Sequence, residues 1–321
     1  MHTVDTLKLG LVQMAPIWLD RAKTLDKVAA YVSDAAAQKC DLVTFGEALV
    51  PGYPFWVELT EGAVFNNPAQ KRMYATYLEQ GVVVERGDLD ALCKLCKLCK
   101  LQTIAMYLGV MERAPDRGGH SLYCTLVCVN KLGEIKSVHR KLQPTYEERL
   151  VWAQGDGNGL VVHDLGAFKV GGLNCCENWV PLARSALYAQ GEDLHVSVWP
   201  GGLHNTKDLT RFIALESRSY VIAVCGLMRP QDIPPGTQFR DEMIAKRGEY
   251  FARGGTALAA PNGDWVIEPQ VGIEGLFTAE IDHAKVREER QNFDLAGHYA
   301  RPDVMQLIVD RTRQSTVRFS N

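Results

Sequence analysis

The 321-residue sequence lacks a strong excess of either charge and any long hydrophobic run. Its 35 basic and 38 acidic side chains give a formal net charge of −3, so no overall field favours nucleic acid or an anionic membrane. The longest apolar runs, such as TIAMYLGVM (103–111), have the length of a strand and cannot span a bilayer. We therefore expect the partners to be small molecules or further copies of the chain, with neither nucleic acid nor membrane among them.

Several common catalytic motifs are also absent. There is no H-E-x-x-H and no G-x-S-x-G, so no motif supports a zinc peptidase or a serine α/β-hydrolase. The glycine-rich segment QGDGNGL (154–160) lacks the Lys-Ser/Thr of a phosphate loop, and we interpret it as a plain loop. In LCKLCKLCK (92–100), Cys93, Cys96 and Cys99 are three residues apart on a predicted helix, where they do not converge on one point. We interpret them as small buried residues and predict no metal site.

The cysteines and the start of the chain bear on the compartment. There are nine cysteines, an odd number, and the first 18 residues lack the basic segment and apolar core of a secretory signal. Both features favour free thiols in a reducing compartment, and we expect the protein in the cytoplasm. No Pro/Gly/Ser linker divides the sequence, so we predict one domain over 1–321.

The hydrophobic pattern predicts a mixed α/β protein. Helical periodicity falls at 24–38, 68–80, 86–101, 181–190 and 206–218. Strand-like runs fall at 7–14, 41–45, 103–111, 122–130, 134–141, 160–165, 168–174, 194–200, 220–227, 256–261 and 275–281. Early strands alternate with helices, whereas 102–174 joins strands through short turns, which favours antiparallel hairpins. We expect mixed sheets covered by helices.

Three reactive side chains follow predicted strands at the point where each strand ends. Glu47 follows the strand at 41–45, Lys141 ends the strand at 134–141, and Cys175 follows that at 168–174. Sites in α/β folds gather at the carboxyl ends of strands. A carboxylate there can take a thiol proton, an ammonium can stabilise developing negative charge, and a thiolate can attack an electrophilic carbon. We expect the nearby cation and helix start to lower the pKa of the thiol.

Each of these residues taken alone has a plainer interpretation. A single glutamate at a strand end is more often a solvated loop residue, a lysine a surface charge, and a cysteine a small core residue. The neighbouring thiols Cys175 and Cys176 add a further question, because a vicinal disulfide is strained and a metal site would lack its other ligands. The residues by themselves do not separate the two cysteines.

Three segments resemble the signature segments of the nitrilase branch of the carbon–nitrogen hydrolase superfamily. They are FGEALVPGYPFW (45–56), HRKLQPTYEERLVWAQGDG (139–157) and GGLNCCENWVPLAR (171–184), and the similarity extends to GHYARPDVMQL (297–307). The resemblance implies an α/β fold built as a four-layer α-β-β-α sandwich with mixed sheets. It also implies self-association as a dimer or larger homo-oligomer, in which subunits pair through helices.

The same resemblance assigns roles to four residues. Glu47 resembles the general base, Lys141 the catalytic lysine and Glu148 the second glutamate, which positions the lysine and the nucleophile. Cys175 resembles the nucleophile, because the family pattern is usually Cys-Trp-Glu. The sequence departs from that pattern at Cys176, which stands where the tryptophan is usual and lies beside the expected pocket.

Aromatic residues next to the motifs are candidates for the substrate pocket. They are Tyr53, Phe55, Trp56, Trp179 and Trp199. We predict that Tyr53, Trp179, Trp199 and Cys176 contact the substrate, while filling of the core is an equally good interpretation for several aromatics.

The function implied is hydrolysis of an organic nitrile to the carboxylic acid and ammonia. The expected path passes through a covalent thioimidate and thioester on Cys175, with the backbone N–H of Cys176 and Lys141 stabilising charge on the substrate. Because thiol, amine and carboxylate supply this chemistry, we predict that no cofactor is needed beyond nitrile and water. Alternatives are an amidase or N-carbamoyl amide hydrolase of the same superfamily, or a non-catalytic oligomeric binding protein.

Overall fold

The computed structural model describes residues 5–98 and 102–317. Its strands are β1 (Thr6–Gln13), β2 (Leu42–Phe45), β3 (Ala105–Arg113), β4 (Leu122–Val129), β5 (Ile135–Arg140), β6 (His163–Leu165), β7 (Phe168–Asn174), β8 (Leu194–Trp199), β9 (Tyr220–Cys225), β10 (Leu227–Met228), β11 (Ala252–Ala259), β12 (Trp265–Val271) and β13 (Gly275–Asp282). Its α-helices are α1 (Arg21–Ala37), α2 (Trp56–Leu59), α3 (Pro68–Glu79), α4 (Asp90–Leu98), α5 (Pro181–Tyr188), α6 (Leu203–Ser217), α7 (Arg240–Arg247) and α8 (His283–Asn292).

The strands form two mixed sheets. The first has the order β13-β1-β2-β3-β4-β5, and the second has the order β10-β11-β9-β8-β7-β6 with β12 paired to β11. The strands β1, β2 and β3 are mutually parallel, as are β7, β8 and β9. Because β4 is antiparallel to both of its neighbours, β5 runs in the same direction as β2. The chain therefore leaves β2 and β5 at the same edge of the first sheet.

Three apolar layers hold the fold together. Between the sheets, residues of β1 such as Leu9 and Leu11 pack against residues of β8 and β9 such as Val196 and Ile222. On the outer face of the first sheet, α1 and α4 cover Val43 and its neighbours. On the outer face of the second sheet, α5 and α6 cover β7, β8 and β9. The layer order is thus α-β-β-α, and the predicted fold class is confirmed.

Helix α1 shows how the sequence pattern is used. Asp20 caps its first turn by accepting a hydrogen bond from the backbone N–H of Lys23. Val28, Val32 and the pair Ala35–Ala36 are buried against the sheet, as their helical spacing predicts.

The element boundaries differ from prediction in several places. The strand β12 and the helices α7 and α8 were not predicted, because β12 alternates apolar with polar residues only weakly and both helices are mostly polar. Helix α4 begins at Asp90 and not at 86, since Gly87 at φ 85° ends a preceding 3-10 turn. On α4, Cys93 and Cys96 are buried as expected, while Cys99 lies outside the described residues.

No helix among the described residues is long and apolar enough to cross a membrane.

Candidate active site

Lys141 is the centre of a buried polar cluster. It directly follows β5, and its backbone N–H donates to the carbonyl of Cys124 on the adjacent strand. The side chain is fully buried. Its Nζ donates to Glu47 Oε1 at 2.8 Å and to Glu148 Oε2 at 2.7 Å. Since a buried charge is stable only when it is paired, the two carboxylates explain how an ammonium is held in the interior.

Glu47 reaches the cluster from the turn that follows β2. A Cβ on Gly109 of β3 would lie 2.1 Å from the carbonyl oxygen of Gly46, so glycine is required for this turn to cross the strand. The Oε1 atom of Glu47 also accepts a hydrogen bond from the Cys124 thiol at 3.3 Å. Its Oε2 atom is buried and has no hydrogen-bond partner among the described residues. One oxygen is thus held in place, while the other remains available to accept a proton.

Glu148 lies in a 3-10 turn, Tyr146–Leu150, and is buried. Its Oε2 accepts the backbone N–H of Thr145 at 2.6 Å in addition to Lys141 Nζ. Its Oε1 accepts the hydroxyl of Tyr53 at 2.8 Å. Both oxygens therefore have partners within the protein, and Glu148 acts as a fixed anchor for the ammonium.

Cys175 begins the 3-10 turn Cys175–Trp179 directly after β7. It is buried and has φ 44°, a left-handed conformation that is uncommon for residues other than glycine. One ligand atom from each of Cys175, Glu47 and Glu148 lies within 4.8 Å of the other two. The structure therefore brings together all four residues that the sequence selected as catalytic. Strained backbone at a reactive side chain is typical of functional sites.

Glu177 joins the lysine segment to the cysteine segment. Its buried carboxylate accepts the backbone N–H of Leu142 at 2.6 Å and that of Asn174 at 2.8 Å. These residues are the chain neighbours of Lys141 and Cys175. His139 also hydrogen-bonds the carboxylate, with Nε2 3.0 Å from Oε2. Sequence reasoning missed this role, although the Asn-x-x-Glu spacing at 174–177 is a capping-box signal.

The electrostatics of the cluster suit proton transfer. Burial raises the pKa of Glu47 from its usual 4.5 to about 7, with Lys141 lowering it and Glu148 raising it. For Lys141, burial alone favours the neutral amine. The carboxylates of Glu47 and Glu148, together with Cys175 when it is ionised, outweigh burial and hold the pKa of Lys141 well above its usual value. Near neutral pH, the cluster therefore contains a charged ammonium and a carboxylate that can exchange a proton.

The two adjacent thiols have different environments. Their Sγ atoms lie 3.8 Å apart, and both thiols are free. The contact with Cys176, burial and the two carboxylates raise the pKa of Cys175 well above its usual value. The contact with Cys175 and the hydroxyl of Thr145 lower the pKa of Cys176 to about 6, against burial. The expected lowering of the Cys175 pKa is therefore wrong, because the contact with Cys176, burial and the two carboxylates together outweigh one ammonium.

The predicted substrate-contacting residues lie in different settings. Tyr53 is in the cluster through Glu148. Trp199 is buried and packs in the same apolar group as Cys175, with half-buried Cys176 against that group. Trp179, at the far end of the turn, is 53% exposed. Contact of these four side chains with substrate stays a prediction, and Phe55 and Trp56 belong to a neighbouring core.

The donor set of Glu47, Glu148 and Cys175 has a spacing that can hold a metal ion. The Nζ of Lys141, however, hydrogen-bonds both carboxylates and already places a positive charge between them. A bound cation would meet this ammonium at close range. The cluster therefore fits proton transfer and nucleophilic attack better than metal binding.

A thiol, a carboxylate with a free oxygen and a buried ammonium are the groups that a cysteine-dependent hydrolase uses, and here they lie together at the edge of an α-β-β-α sandwich. The sequence profile of the Carbon-nitrogen hydrolase family matches residues 8–291. The chain belongs to this family, the nitrilase superfamily, whose members hydrolyse carbon–nitrogen bonds other than peptide bonds.

Characterised relatives match almost the whole chain. A nitrilase 2 from an unknown prokaryotic organism is 33% identical over 321 residues, covering 99% of this chain and 97% of the relative. Nitrilase 2 of Arabidopsis thaliana is 31% identical, covering 98% and 91%. An aliphatic nitrilase of Rhodococcus rhodochrous is also 31% identical, covering 98% and 85%. The recognition of a nitrilase-type enzyme from its motifs is confirmed.

Solved structures confirm the fold. Nit3 of Saccharomyces cerevisiae superposes with a TM-score of 0.67 at 18% identity, over 92% of this chain and 97% of that chain. An amidase from Nesterenkonia sp. gives a TM-score of 0.65 at 17% identity, over 91% and 96%. At these identities, the likeness extends to the fold alone.

Proposed function

We propose that this chain is a nitrilase that converts an organic nitrile and two waters into a carboxylic acid and ammonia. Nitrilases at 31–33% identity over 98% or more of the chain support this reaction. The observation that carries the mechanism is the buried, unpartnered Oε2 of Glu47 in a cluster with Cys175. It provides a base beside a nucleophile whose thiol must lose its proton in order to react.

In the first half of the reaction, Glu47 takes the proton of the Cys175 thiol, and the sulfur attacks the nitrile carbon. One π bond of the nitrile becomes a C–S bond, and Glu47 passes the thiol proton to the nitrogen, which gives a thioimidate and leaves Glu47 ionised again. Because the pKa of Cys175 is raised and that of Glu47 lies near 7, the proton moves as the new bond forms.

In the second half, water adds to the thioimidate carbon as Glu47 accepts its proton. The nitrogen is protonated and leaves as ammonia, so a thioester to Cys175 remains. A second water, again deprotonated by Glu47, attacks the thioester and releases the carboxylic acid and the thiol. One carboxylate thus acts in turn as base and acid, which a pKa of about 7 permits near neutral pH.

The remaining groups stabilise charge and hold geometry. Lys141 and the backbone N–H of Cys176 stabilise negative charge on the substrate nitrogen or oxygen. Glu148, fixed by Tyr53 and Thr145, positions the ammonium. The substrate is contacted by Trp199, Tyr53, Cys176 and Trp179. Because Cys176 stands where a tryptophan is usual, it presents a smaller side chain to the substrate pocket.

Ammonia release from a panel of nitriles, each paired with its matching amide, tests this function. We expect turnover of at least one nitrile at a higher kcat/KM than its amide, and no turnover by Cys175→Ala. A clear preference for amides would replace the proposal with an amidase or N-carbamoyl hydrolase. Absence of turnover on both classes would favour a non-catalytic binding protein.

We also propose that the chain self-associates through the outer faces of α5 and α6. Six large apolar side chains are exposed on or beside these helices: Trp179, Val180, Leu182, Leu203, Phe212 and Leu215. Contiguous exposed apolar surface typically marks an interface. Light scattering should give a dimer or larger species, and Leu182→Glu with Phe212→Glu should reduce the mass. A monomeric wild-type protein would contradict the proposal.

We place the enzyme in the cytoplasm, where its nine cysteines would stay reduced. Fractionation of the source cells tests this location, and recovery in a secreted fraction would contradict it.

A further inference from the structure

A buried chain of hydrogen bonds lies behind the nucleophile. Asn178, in the same turn as Cys175, donates its Nδ2 to the Cys175 carbonyl at 2.8 Å and to the Leu173 carbonyl at 3.3 Å. Its Oδ1 lies 2.7 Å from His195 Nε2, and His195 Nδ1 lies 2.9 Å from Glu192 Oε1. Asn178, His195 and Glu192 are all buried, and the mechanism above uses none of them.

The protonation of this chain follows from its partners. Because Asn178 faces two carbonyls with Nδ2, the oxygen of its amide must face His195, so His195 Nε2 carries a proton. The other ring nitrogen faces a carboxylate, and a proton must lie between the two for them to remain in contact. The two hydrogen bonds nearest the nucleophile therefore both donate towards Cys175, from His195 Nε2 to Asn178 Oδ1 and from Asn178 Nδ2 to the Cys175 carbonyl.

Strand pairing and one glycine bring the residues of this hydrogen-bond chain together. His195 is on β8, where it pairs in parallel register with Gly171 of β7. A Cβ on Gly171 would lie 2.2 Å from Glu192 Oε1, so glycine is required for the carboxylate to reach His195. Both strands are central in the second sheet and hold these groups on a rigid frame.

The Cys175 carbonyl matters because of the planarity of the peptide bond. The C=O of Cys175 and the N–H of Cys176 belong to one trans peptide unit and point in opposite directions. Fixing the carbonyl from behind therefore fixes the direction of the N–H. In the proposed mechanism, this N–H is a donor to the charge that develops on the substrate. Such donors are effective only when they are held in place before the reaction.

We propose that Asn178, His195 and Glu192 are positioning residues that orient the Cys176 N–H by anchoring the Cys175 carbonyl. The proposal rests on the proposed function, since it concerns the charge-stabilising group of that reaction. It predicts a loss that falls on kcat, because the donor acts in the transition state, with little change in KM.

The test compares kcat, KM and Tm in four variants. His195→Leu should lower kcat about 10- to 100-fold, which is less than the ~10²–10³ that removal of an oxyanion donor costs because the N–H is misdirected and not lost, with KM within about threefold. Glu192→Gln should stay within about threefold of wild type, because the amide can donate to His195 Nδ1 and leave Nε2–H in place. Should His195→Leu fail to fold, Glu192→Leu is expected to show the same split between kcat and KM. Ser217→Ala is the matched control, because it removes a buried hydroxyl that, across residues 5–98 and 102–317, bonds only the Ile213 carbonyl within α6.

Unchanged kcat in a folded His195→Leu or Glu192→Leu variant would overturn the proposal. So would a kcat loss in Ser217→Ala equal to that in His195→Leu, or a loss in Glu192→Gln as large as in the leucine variants. Amide hydrolysis passes through the same type of charged intermediate on Cys175. If the wild type hydrolyses amides only, the proposed function fails, while the same four variants measured on an amide still decide the positioning role.

Discussion

The ammonium of Lys141 lies 2.8 Å from Glu47 Oε1 and hydrogen-bonds only one of the two carboxylate oxygens. The two oxygens of the Glu47 carboxylate therefore have different roles. The bound oxygen is fixed by Lys141 and by the thiol of Cys124, so the carboxylate cannot rotate freely. The free oxygen is buried with no partner in the described part of the chain, and burial raises the pKa of the carboxyl group to about 7. The cluster thus holds a base whose free oxygen is ready to accept a proton.

The rate should depend on pH through Glu47. The carboxylate must be ionised to accept the Cys175 proton, so kcat/KM should fall below about pH 7, following the raised pKa. Glu47→Gln should lower kcat by ~10²–10⁴, the usual range for general acid–base help, and abolish this limb of the profile. A Glu47→Gln variant with wild-type kcat would contradict the role.

The same pKa predicts a stability effect with a defined sign. A carboxyl whose pKa is raised from 4.5 to about 7 on folding binds more protons in the native state than in the unfolded state between these values. Its contribution to the free energy of unfolding is therefore lost as the pH rises from about 5 to 7. Chemical denaturation should therefore show that the free energy of unfolding of Glu47→Gln rises relative to that of the wild type between about pH 5 and 7. A constant difference would contradict the raised pKa.

Cys124 should tune Glu47. Its thiol donates to Glu47 Oε1 and thereby favours the ionised form. Loss of a hydrogen bond worth ~1 kcal/mol raises a carboxyl pKa by about 0.5–1 unit, so Cys124→Ala should move the acid limb to higher pH by that amount. Cys124→Ser supplies a stronger donor and should move it the other way. Shifts of the same sign in both variants would exclude this contact as the cause.

Glu177 should be required for stability as well as for geometry. Burial opposes its charge, but His139 and the backbone donors of Leu142 and Asn174 lower its pKa overall. Glu177→Gln turns an amide N–H towards a donor, and we expect a loss of ~3 kcal/mol in the free energy of unfolding in urea. Because the native pKa is lowered, the wild-type advantage should be full above about pH 5 and shrink as the pH falls. A loss below ~1 kcal/mol would contradict this account.

The two thiols should react with alkylating agents in a fixed order. Cys176 has a pKa lowered to about 6 and is half-buried, whereas Cys175 is buried with a raised pKa. Without substrate at pH 7, iodoacetamide should therefore label Cys176 before Cys175. Tandem mass spectrometry of the peptide that contains both cysteines distinguishes the two labelled sites. Cys176→Ser should remove the fast phase. Faster labelling of Cys175 would show that Lys141 outweighs the carboxylates.

The positions of several strands and helices and of the main reactive residues can be predicted from the sequence. In β8, Leu194, Val196 and Val198 alternate with His195 and Ser197, and α1 presents a regular buried stripe, so the positions of both elements follow from periodicity. Glu47, Lys141 and Cys175 stand at strand ends, where an α/β fold collects its reactive groups. Helices α7 and α8 are mostly polar and each buries a single residue, Met243 and Val286, so too few apolar positions mark them in the sequence.

The contacts that tune the catalytic groups could not be predicted from the sequence. Cys124 lies within an apolar strand and looks like a core residue until the fold places it on Glu47. His195 and Glu192 lie outside the motif segments, and parallel pairing of β7 with β8 brings them behind Cys175. The pKa of Cys175 depends on how many carboxylates surround it, which spacing along the chain does not reveal.

The central claim is that Cys175 carries the acyl group during turnover. Acid-quenching the enzyme at steady state with a substrate nitrile, followed by peptide mass spectrometry, measures this directly. We expect the mass of the thioester or thioimidate on Cys175, no adduct on Cys176, and neither adduct nor ammonia with Cys175→Ala. An adduct on Cys176, or ammonia release by Cys175→Ala at the wild-type rate, would contradict the account.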